Sequence, residues 1–593
     1  MQKVSQDWKN NQNKTLVSES DIEVSLKLTD PDAYEDATAE ANDSAYYSNT
    51  ENVVSDGAKI IHPYATLERN LWLLDGSREI VPDSNYGNAG FVSAIMCNNS
   101  NTFGSRLIVS VNFSQVHSKL IQGVTIRWSE YLNEYAVEFI VTAYNGNTVV
   151  ATKTVTDNNS VLSTIPMDIA NYNKITIEIV KWSIAYRRAR IEDIFIGVNH
   201  IFSKKSLFSY DCSMSVDPIS AELPKSEVSF SIDNLDNTFN PYNTDGLSKY
   251  LMERQEIEVK YGYKLDSGYE WMKGGKFYIS EWDAQQSGMS AEFKARDLLG
   301  FMTGAYYKGL YNPSGTSLYD LAEDVLQDSG LPLNSDGSVK WVIDEKLKNI
   351  YTIAPLPIDT HANCLQMIAN AGECVICQDR DGLLHIKSMS YDETDYSINH
   401  FNSYSKPDLS LSKPLKEVAV PCYGYSVSTD VSEIYKGNVA INGTLDVVIT
   451  YSGTATNVSA VVTGGTLNSA RYYSNACVLN ITSAGSVDIV VSGNSLTSSS
   501  VAVIVTSGVQ GETISVDNPL LTSNSRALSV GSWVENYMKN RMVLSSDWRA
   551  DPRLDALDIV DNENDYGVDK VIMTSVEYSY NGAFKGSGEG RVI

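Results

Sequence analysis

Between residues 221 and 300 the chain alternates apolar and polar side chains four times over, and only a sheet buried on one face satisfies that pattern. Val228, Phe230 and Ile232 alternate with Ser229, Ser231 and Asp233, the period of two that a half-buried strand imposes. Ile257, Val259, Tyr261 and Tyr263 form a second run, Phe277 and Ile279 a third, and Met289, Ala291, Phe293 and Ala295 a fourth. Turn-forming residues crowd the gaps at 234–243 and 266–268. The stretch therefore predicts a compact antiparallel β-domain. None of its spacings is catalytic.

The 593 residues are too many for one core and predict about four domains at ~150 residues each. Tyrosine outnumbers phenylalanine, 35 to 14, which suits β-rich domains with broad contact surfaces. The net charge of −27 speaks against specific binding of DNA, which needs clustered Lys and Arg. It is compatible with a conduit through which DNA slides without sticking. Seven cysteines, odd in number and scattered, predict no disulfide framework and assembly in a reducing cytoplasm. No apolar run reaches the ~18 residues of a membrane span, and the first residues carry no export signal.

Residues 1–56 hold one alternating run, Ile22, Val24, Leu26 and Leu28, then an acidic, turn-prone stretch. One strand cannot bury a face alone, so this segment is expected to pair with the β-domain at 199–304 across an insertion at 57–198. Short alternating strands at 124–128, 137–142, 149–155 and 175–179 predict a sandwich or jelly roll there. Residues 305–400 predict a mixed α+β domain. Ser317 precedes Leu318, Leu321, Ala322, Val325 and Leu326 at helical spacing, and Gly330 follows. Thr360 opens a second helix, and Asp379-Arg-Asp-Gly382 between apolar runs marks a hairpin. Charge nearly vanishes across 436–516 in favour of Ser, Thr, Val and Gly, which predicts an inserted immunoglobulin-like sandwich. That insertion would split a second β-domain into 401–435 and 517–593, the latter with a helix stripe of Val530, Trp533, Val534, Tyr537 and Met538.

Several of these segments resemble the baseplate-hub and tail-tip proteins of bacteriophages. They are Ser231-Ile-Asp-Asn234, Phe239-Asn-Pro241, the run from Glu253 through Tyr263, Gly275-Lys-Phe-Tyr-Ile279, Ala295-Arg-Asp297 and the hairpin around Arg380. The resemblance implies a homotrimer that caps the tail tube in the virion, each subunit carrying two tube-like β-domains. It implies as partners the tail tube or distal tail protein, the tape measure protein, and receptor-binding or fibre proteins, with DNA passing through. The fold class expected is thus mainly β with a smaller α+β part, two tube-like domains plus jelly-roll and immunoglobulin-like insertions.

Within the first insertion, the segments around Trp128-Ser-Glu-Tyr131, Tyr144-Asn-Gly146 and Arg190-Ile-Glu-Asp-Ile194 resemble galactose-binding-like jelly rolls. Such domains often bind glycans, which implies a host-surface glycan as a further partner. Trp128, Tyr131, Tyr135, Trp182, Tyr186 and Arg187, with Arg188 beside them, could supply the stacking faces and polar groups a sugar needs. Core packing is the competing role for the two tryptophans.

No residue set predicts catalysis. The six histidines are dispersed, and the single Cys374-Val-Ile-Cys377 lacks a second pair. The carboxylates of 561–569 depart from a calcium loop and read as a polar hairpin tip. No GxSxG, phosphate loop or dinucleotide fingerprint occurs. No cofactor or metal is expected. A structural tail-tip protein is the function predicted, a glycan-binding adhesin the alternative, and a cell-wall hydrolase a distant third. The helix after Ser317 gives a first test. Leu321→Ala should cost ~2–5 kcal/mol in chemical denaturation, whereas Glu323→Ala on the polar face should stay within ~0.5 kcal/mol; equal small losses would remove the helix or reverse its face.

Overall fold

The computed structural model describes all residues except 30–32, 34–35, 55–63, 79–89, 119, 244–247, 249–250, 252–253, 267, 285–288, 332–337, 390–392 and 550. The chain is mainly β, with several antiparallel sheets. The run predicted from alternation forms Lys225–Asp233, Glu256–Leu265, Gly268–Ala284 and Ser290–Arg296. Val228, Phe230 and Ile232 turn inward with Ala291, Phe293 and Ala295, and the Phe230 and Phe293 rings stack 5.1 Å apart.

These strands belong to a sheet of thirteen. Ser20–Thr29 pairs with Glu256–Leu265, as expected across the insertion, and Gly197–Phe202 pairs along its other side. The opposite end continues through Leu207–Ser215 into Gly567–Tyr580, Phe584–Val592, Met542–Arg549 and Asp408–Leu411. At the seam Tyr210 lies opposite Tyr580 and Cys212 opposite Tyr578. Both β-units thus share one sheet and one apolar core, with Trp8, Tyr261, Trp548, Tyr578 and Phe584 among its members. The buried hydroxyls are satisfied: Tyr210 and Tyr261 meet at 2.7 Å, and Tyr578 donates to the Leu554 carbonyl at 2.7 Å.

The first insertion begins earlier than expected. Ala37–Ala41 pairs with Thr102–His117 in the insertion's own five-stranded sheet, Ala39 opposite Val111, so the chain leaves the thirteen-stranded sheet near residue 30 rather than 57. On this edge strand Glu40 is exposed and only Ala39 is buried, which made the segment read as a loop. Tyr172–Trp182, Ala136–Asn145 and Thr148–Val155 complete this sheet. A three-stranded sheet of Asp193–Phe195, Ile121–Arg127 and Leu162–Ile169 accompanies it, and side chains of both sheets build one core. Arg127 reaches back to Glu23 at 3.3 Å, and the Thr125 hydroxyl donates to the Gly197 carbonyl at 3.2 Å, which tie the insertion to the sheet it interrupts.

The middle section matches its pattern. Ser317 Oγ accepts from Asp320 N at 3.0 Å and caps helix Leu318–Asp328, whose Leu321, Ala322, Val325 and Leu326 are buried. Thr360 caps His361–Ala371 in the same way. Val375–Gln378 and Leu384–Lys387 form the hairpin, and Gly382 at φ +83° supplies the left-handed residue its turn needs.

The second insertion differs from expectation. Residues 415–450 and 476–506 are two very long strands paired along most of their length, and with Ala455–Thr463, Thr466–Tyr472 and Glu512–Ser515 they make a single five-stranded sheet. The pairing does not divide into the two facing sheets of an immunoglobulin-like sandwich. Its own core, around Ile441, Leu479, Ile481 and Ile489, lies along this one sheet. The ribbon also starts at Leu415 rather than 436, because Val418 and Val420 are buried in the core shared with helix Asn524–Met538. Gly531 leaves room for that contact: a Cβ there would stand 2.8 Å from Val505 Cγ2 and 3.1 Å from Val420 Cγ2.

Two expectations follow for stability. Thr29 and Gly197 are register partners on adjacent antiparallel strands, so replacing 30–196 by a short Gly-containing turn should leave a soluble chain with one cooperative melt of the remaining sheet; aggregation would show that the insertion completes a shared core. Arg380, at the hairpin tip, donates to Asp555 and to the carbonyls of Lys273, Pro552 and Leu554 at 2.7–3.0 Å. Arg380→Ala strands those acceptors and should cost ~3–5 kcal/mol in chemical denaturation, with Arg380→Lys recovering only part, since an ammonium cannot span the fork.

Candidate functional site

The residues singled out for glycan contact separate into core and surface. Trp128, immediately after the strand Ile121–Arg127, continues the inward parity of Val124 and Ile126 and is fully buried, its Nε1 donating to Ser163 Oγ at 2.8 Å. Trp182 is equally buried, donates to Glu134 Oε2 at 3.0 Å, and lies edge-on to Trp128 at 5.9 Å. Neither indole offers a face to a sugar; the two rings hold the sandwich together. Tyr135 is half-buried against the same core. The parity of Trp128 with Val124 and Ile126 was the sequence signal for this outcome.

Tyr131 and Tyr186 remain at the surface, each 47% exposed. Between them lies an arginine cluster. Arg187 is buried with its Nε 2.9 Å from Glu134 Oε1, and Arg78 lies over the Tyr131 ring at 5.9 Å. Arg190 binds Glu68 through two nitrogens, at 2.9 and 2.5 Å. Arg188 donates to the carbonyls of Ser93 and Ala94. Burial outweighed by Arg190 holds the Glu68 carboxyl below its ordinary range, whereas burial pushes that of Glu134 up. Tyr131, Tyr186 and Arg187 are thus brought to one end of the insertion, and the tryptophans are withheld from it.

A second candidate surface was not visible as a motif. The seam of the thirteen-stranded sheet carries a groove of about 560 Å³ on its solvent face, lined by residues of both β-units. Pairing places Asp211 opposite Ser229 and Ser579, and Ser213 opposite Glu227 and Glu577, so these side chains share one face. The cations of the groove are each matched to a carboxylate: Lys294 to Glu281 at 2.9 Å, Arg296 to Glu227 at 3.2 Å, Lys585 to Asp547 at 3.8 Å. Asp211 and Glu577 add uncompensated acid, and burial with the nearby Glu577 charge pushes the Asp211 carboxyl up. Such exposed pairs add little stability. Their effect is to leave no free cation along the groove among the described residues, between the short hydroxyls of Ser213, Ser229, Ser579 and Ser587. The repeated Ser-x-Ser and Ser-x-acid alternation of these strands was the only trace of it in the sequence.

The hairpin Ile559–Asn564 with Gly567–Tyr580 absorbs the carboxylates of 561–569. Among the described residues, no group of three or more His, Cys, Asp or Glu side chains could hold a metal ion, and no helix is long and apolar enough to cross a membrane.

No protein-family model matches the chain, and no curated protein does. Among solved structures, the 43 kDa tail protein of prophage MuSo2 from Shewanella oneidensis is 10% identical over a match covering 66% of this chain and 94% of that one, with a TM-score of 0.36. The prophage tail protein gp18 from Listeria monocytogenes is 8% identical, covering 66% and 91%, with a TM-score of 0.37. The family 32 CBM from C. perfringens NanJ, solved in complex with galactose, is 16% identical over 30% of this chain and 99% of that one, with a TM-score of 0.18. The structural neighbours of this chain are therefore phage tail proteins and, on part of its length, carbohydrate-binding modules.

Proposed function

We propose that the chain is the hub of a phage or phage-like tail tip, capping the tail tube as a homotrimer and linking it to the host-contacting parts. The observation that carries this reading is the seam between Leu207–Ser215 and Gly567–Tyr580, which makes two β-units one sheet with a continuous solvent face. Two units per subunit let three subunits meet a six-fold tube, closing with C3 symmetry. The groove on that face suits the wall of a DNA conduit, because compensated cations and surplus carboxylate give a polyanion nothing to grip. The tail tube or distal tail protein, the tape measure protein and receptor-binding or fibre proteins would be its neighbours in the virion tail. No catalytic role is assigned.

A second reading, a glycan-binding component of the same tail, is favoured by one observation: the exposed Tyr131 and Tyr186 beside the arginines at one end of the first insertion. The two readings are compatible in one protein.

The test is a reconstruction of the intact particle tip with this chain located by antibody. Three copies presenting six β-units in a ring, with Asp211 and Glu577 on the lumen, are expected. Six copies, or a lumen lined by another face of the sheet, would overturn the reading.

A further inference from the structure

The end of the first insertion concentrates positive charge in a chain whose net charge is −27. Arg69, Arg78, Arg187, Arg188 and Arg190 gather there, and among the described residues the carboxylates set against them are Glu68 and Glu134, with Asp75 near Arg78 at longer range. Those carboxylates are already engaged. Glu68 takes both nitrogens of Arg190, the Arg188 amide and the Thr66 hydroxyl. Glu134 takes the Trp182 indole on one oxygen and faces Arg187 Nε with the other. Asp75 is turned to its neighbour Ser77. Arg188 spends its guanidinium on neutral carbonyls, so its charge is hydrogen-bonded without being cancelled.

Arg187 supplies the independent observation. Its side chain is 10% exposed, and its Nη1 has no hydrogen-bond partner among the described residues. An unmet buried N–H costs roughly 1–3 kcal/mol, so a folded chain retains it where something else supplies the acceptor. Burial, with Arg190 and Arg78 nearby, pulls the Arg187 guanidinium below its ordinary value, which an added anion would reverse.

The surroundings favour a sugar-borne anion over a bare ion. Tyr131 stacks under Arg78, and Tyr186 is held at φ +60°, a strained conformation for a bulky residue. Its carbonyl accepts from Arg69 N at 3.2 Å, which fixes the turn while the ring stays 47% exposed. Trp72, 49% exposed, lies in the same loop as Arg69 and Arg78. Exposed aromatic faces beside planar donors are what a pyranose ring with a charged substituent requires.

We infer that this end of the insertion binds an anionic saccharide, its carboxylate or phosphate meeting Arg187 and Arg78 and its ring covering Tyr186 or Tyr131. The inference rests on the second reading above and adds the charge of the ligand to it.

Calorimetric titration of the full chain tests it with three probes: an oligogalacturonate, a poly(glycerol phosphate) and a neutral galacto-oligosaccharide. One polyanion should bind, and which one does identifies carboxylate or phosphodiester as the source. That binding should weaken about tenfold or more in Arg78→Glu and in Tyr186→Gly. It should also fall from about 0.1 to about 1 M salt, where screening shortens from about 10 to about 3 Å. Arg187→Gln is the direct variant; should it unfold by stranding Glu134, the two surface variants decide alone. Equal or tighter binding of the neutral sugar, indifferent to Arg78→Glu, would overturn the anionic assignment and leave glycan binding standing. Polyanion binding unchanged in both surface variants would place the site elsewhere and overturn the inference. No binding of any probe would overturn both.

Discussion

The architecture depends on one side chain more than on any other. Arg380 projects from the tip of the Asp379–Gly382 turn, which belongs to the middle section, into the junction of the two β-units. Its guanidinium is buried, ion-paired to Asp555 and hydrogen-bonded to carbonyls on both sides, Lys273 from the first unit and Pro552 and Leu554 from the second. It also lies 5.8 Å from the centre of the Tyr261 ring. A planar fork with five donors can meet acceptors that diverge in this way, and no other cation can. The turn behind it is rigid: Asp379 accepts from the amides of Asp381 and Leu383 and holds His385 at 2.8 Å. Three parts of the chain are thereby referred to one point.

That junction makes the seam rigid. Two β-units related only by a linker could rotate against each other. Here the Tyr210–Tyr580 and Cys212–Tyr578 register pairs continue the sheet across the boundary. The aromatic contacts below, Tyr261 with Tyr578 and Phe584, add about 0.5–1.5 kcal/mol each beyond their buried area. The smooth face above is a consequence of the same alternation: the inward Phe230 lies between Ser229 and Ser231, and the inward Tyr578 between Glu577 and Ser579.

The insertions obey a different economy. Each departs from and returns to paired positions, Thr29 with Gly197 in one case and Glu417 with Thr506 in the other. An element whose ends are already hydrogen-bonded neighbours can grow without disturbing the sheet that carries it. The first carries an arginine-rich, aromatic end. The second is a polar ribbon in which Ser426 faces Thr497 and Thr444 faces Thr482.

Local pattern determined much of this protein. The strands of 228–295, the capped helices after Ser317 and Thr360, the Asp379–Gly382 hairpin and the pairing of the first strand across an insertion are all written in short-range periodicity and turn chemistry. Those are properties of a residue and its near neighbours, and they survive in isolation from the rest of the chain. What only the tertiary structure decided is which edges meet. Nothing local distinguishes Ala37–Ala41 as a strand of the sandwich from an acidic loop, or a 36-residue ribbon strand from several short strands of a sandwich. Trp128 and Trp182 had the composition of a sugar site, and burial beside Ser163 and Glu134 made them core. The seam and its compensated face depend on Leu207–Ser215 finding Gly567–Tyr580 across more than half the chain. Strand edges are chemically alike, so the choice among them falls to the side chains that can be buried together once both strands are in place.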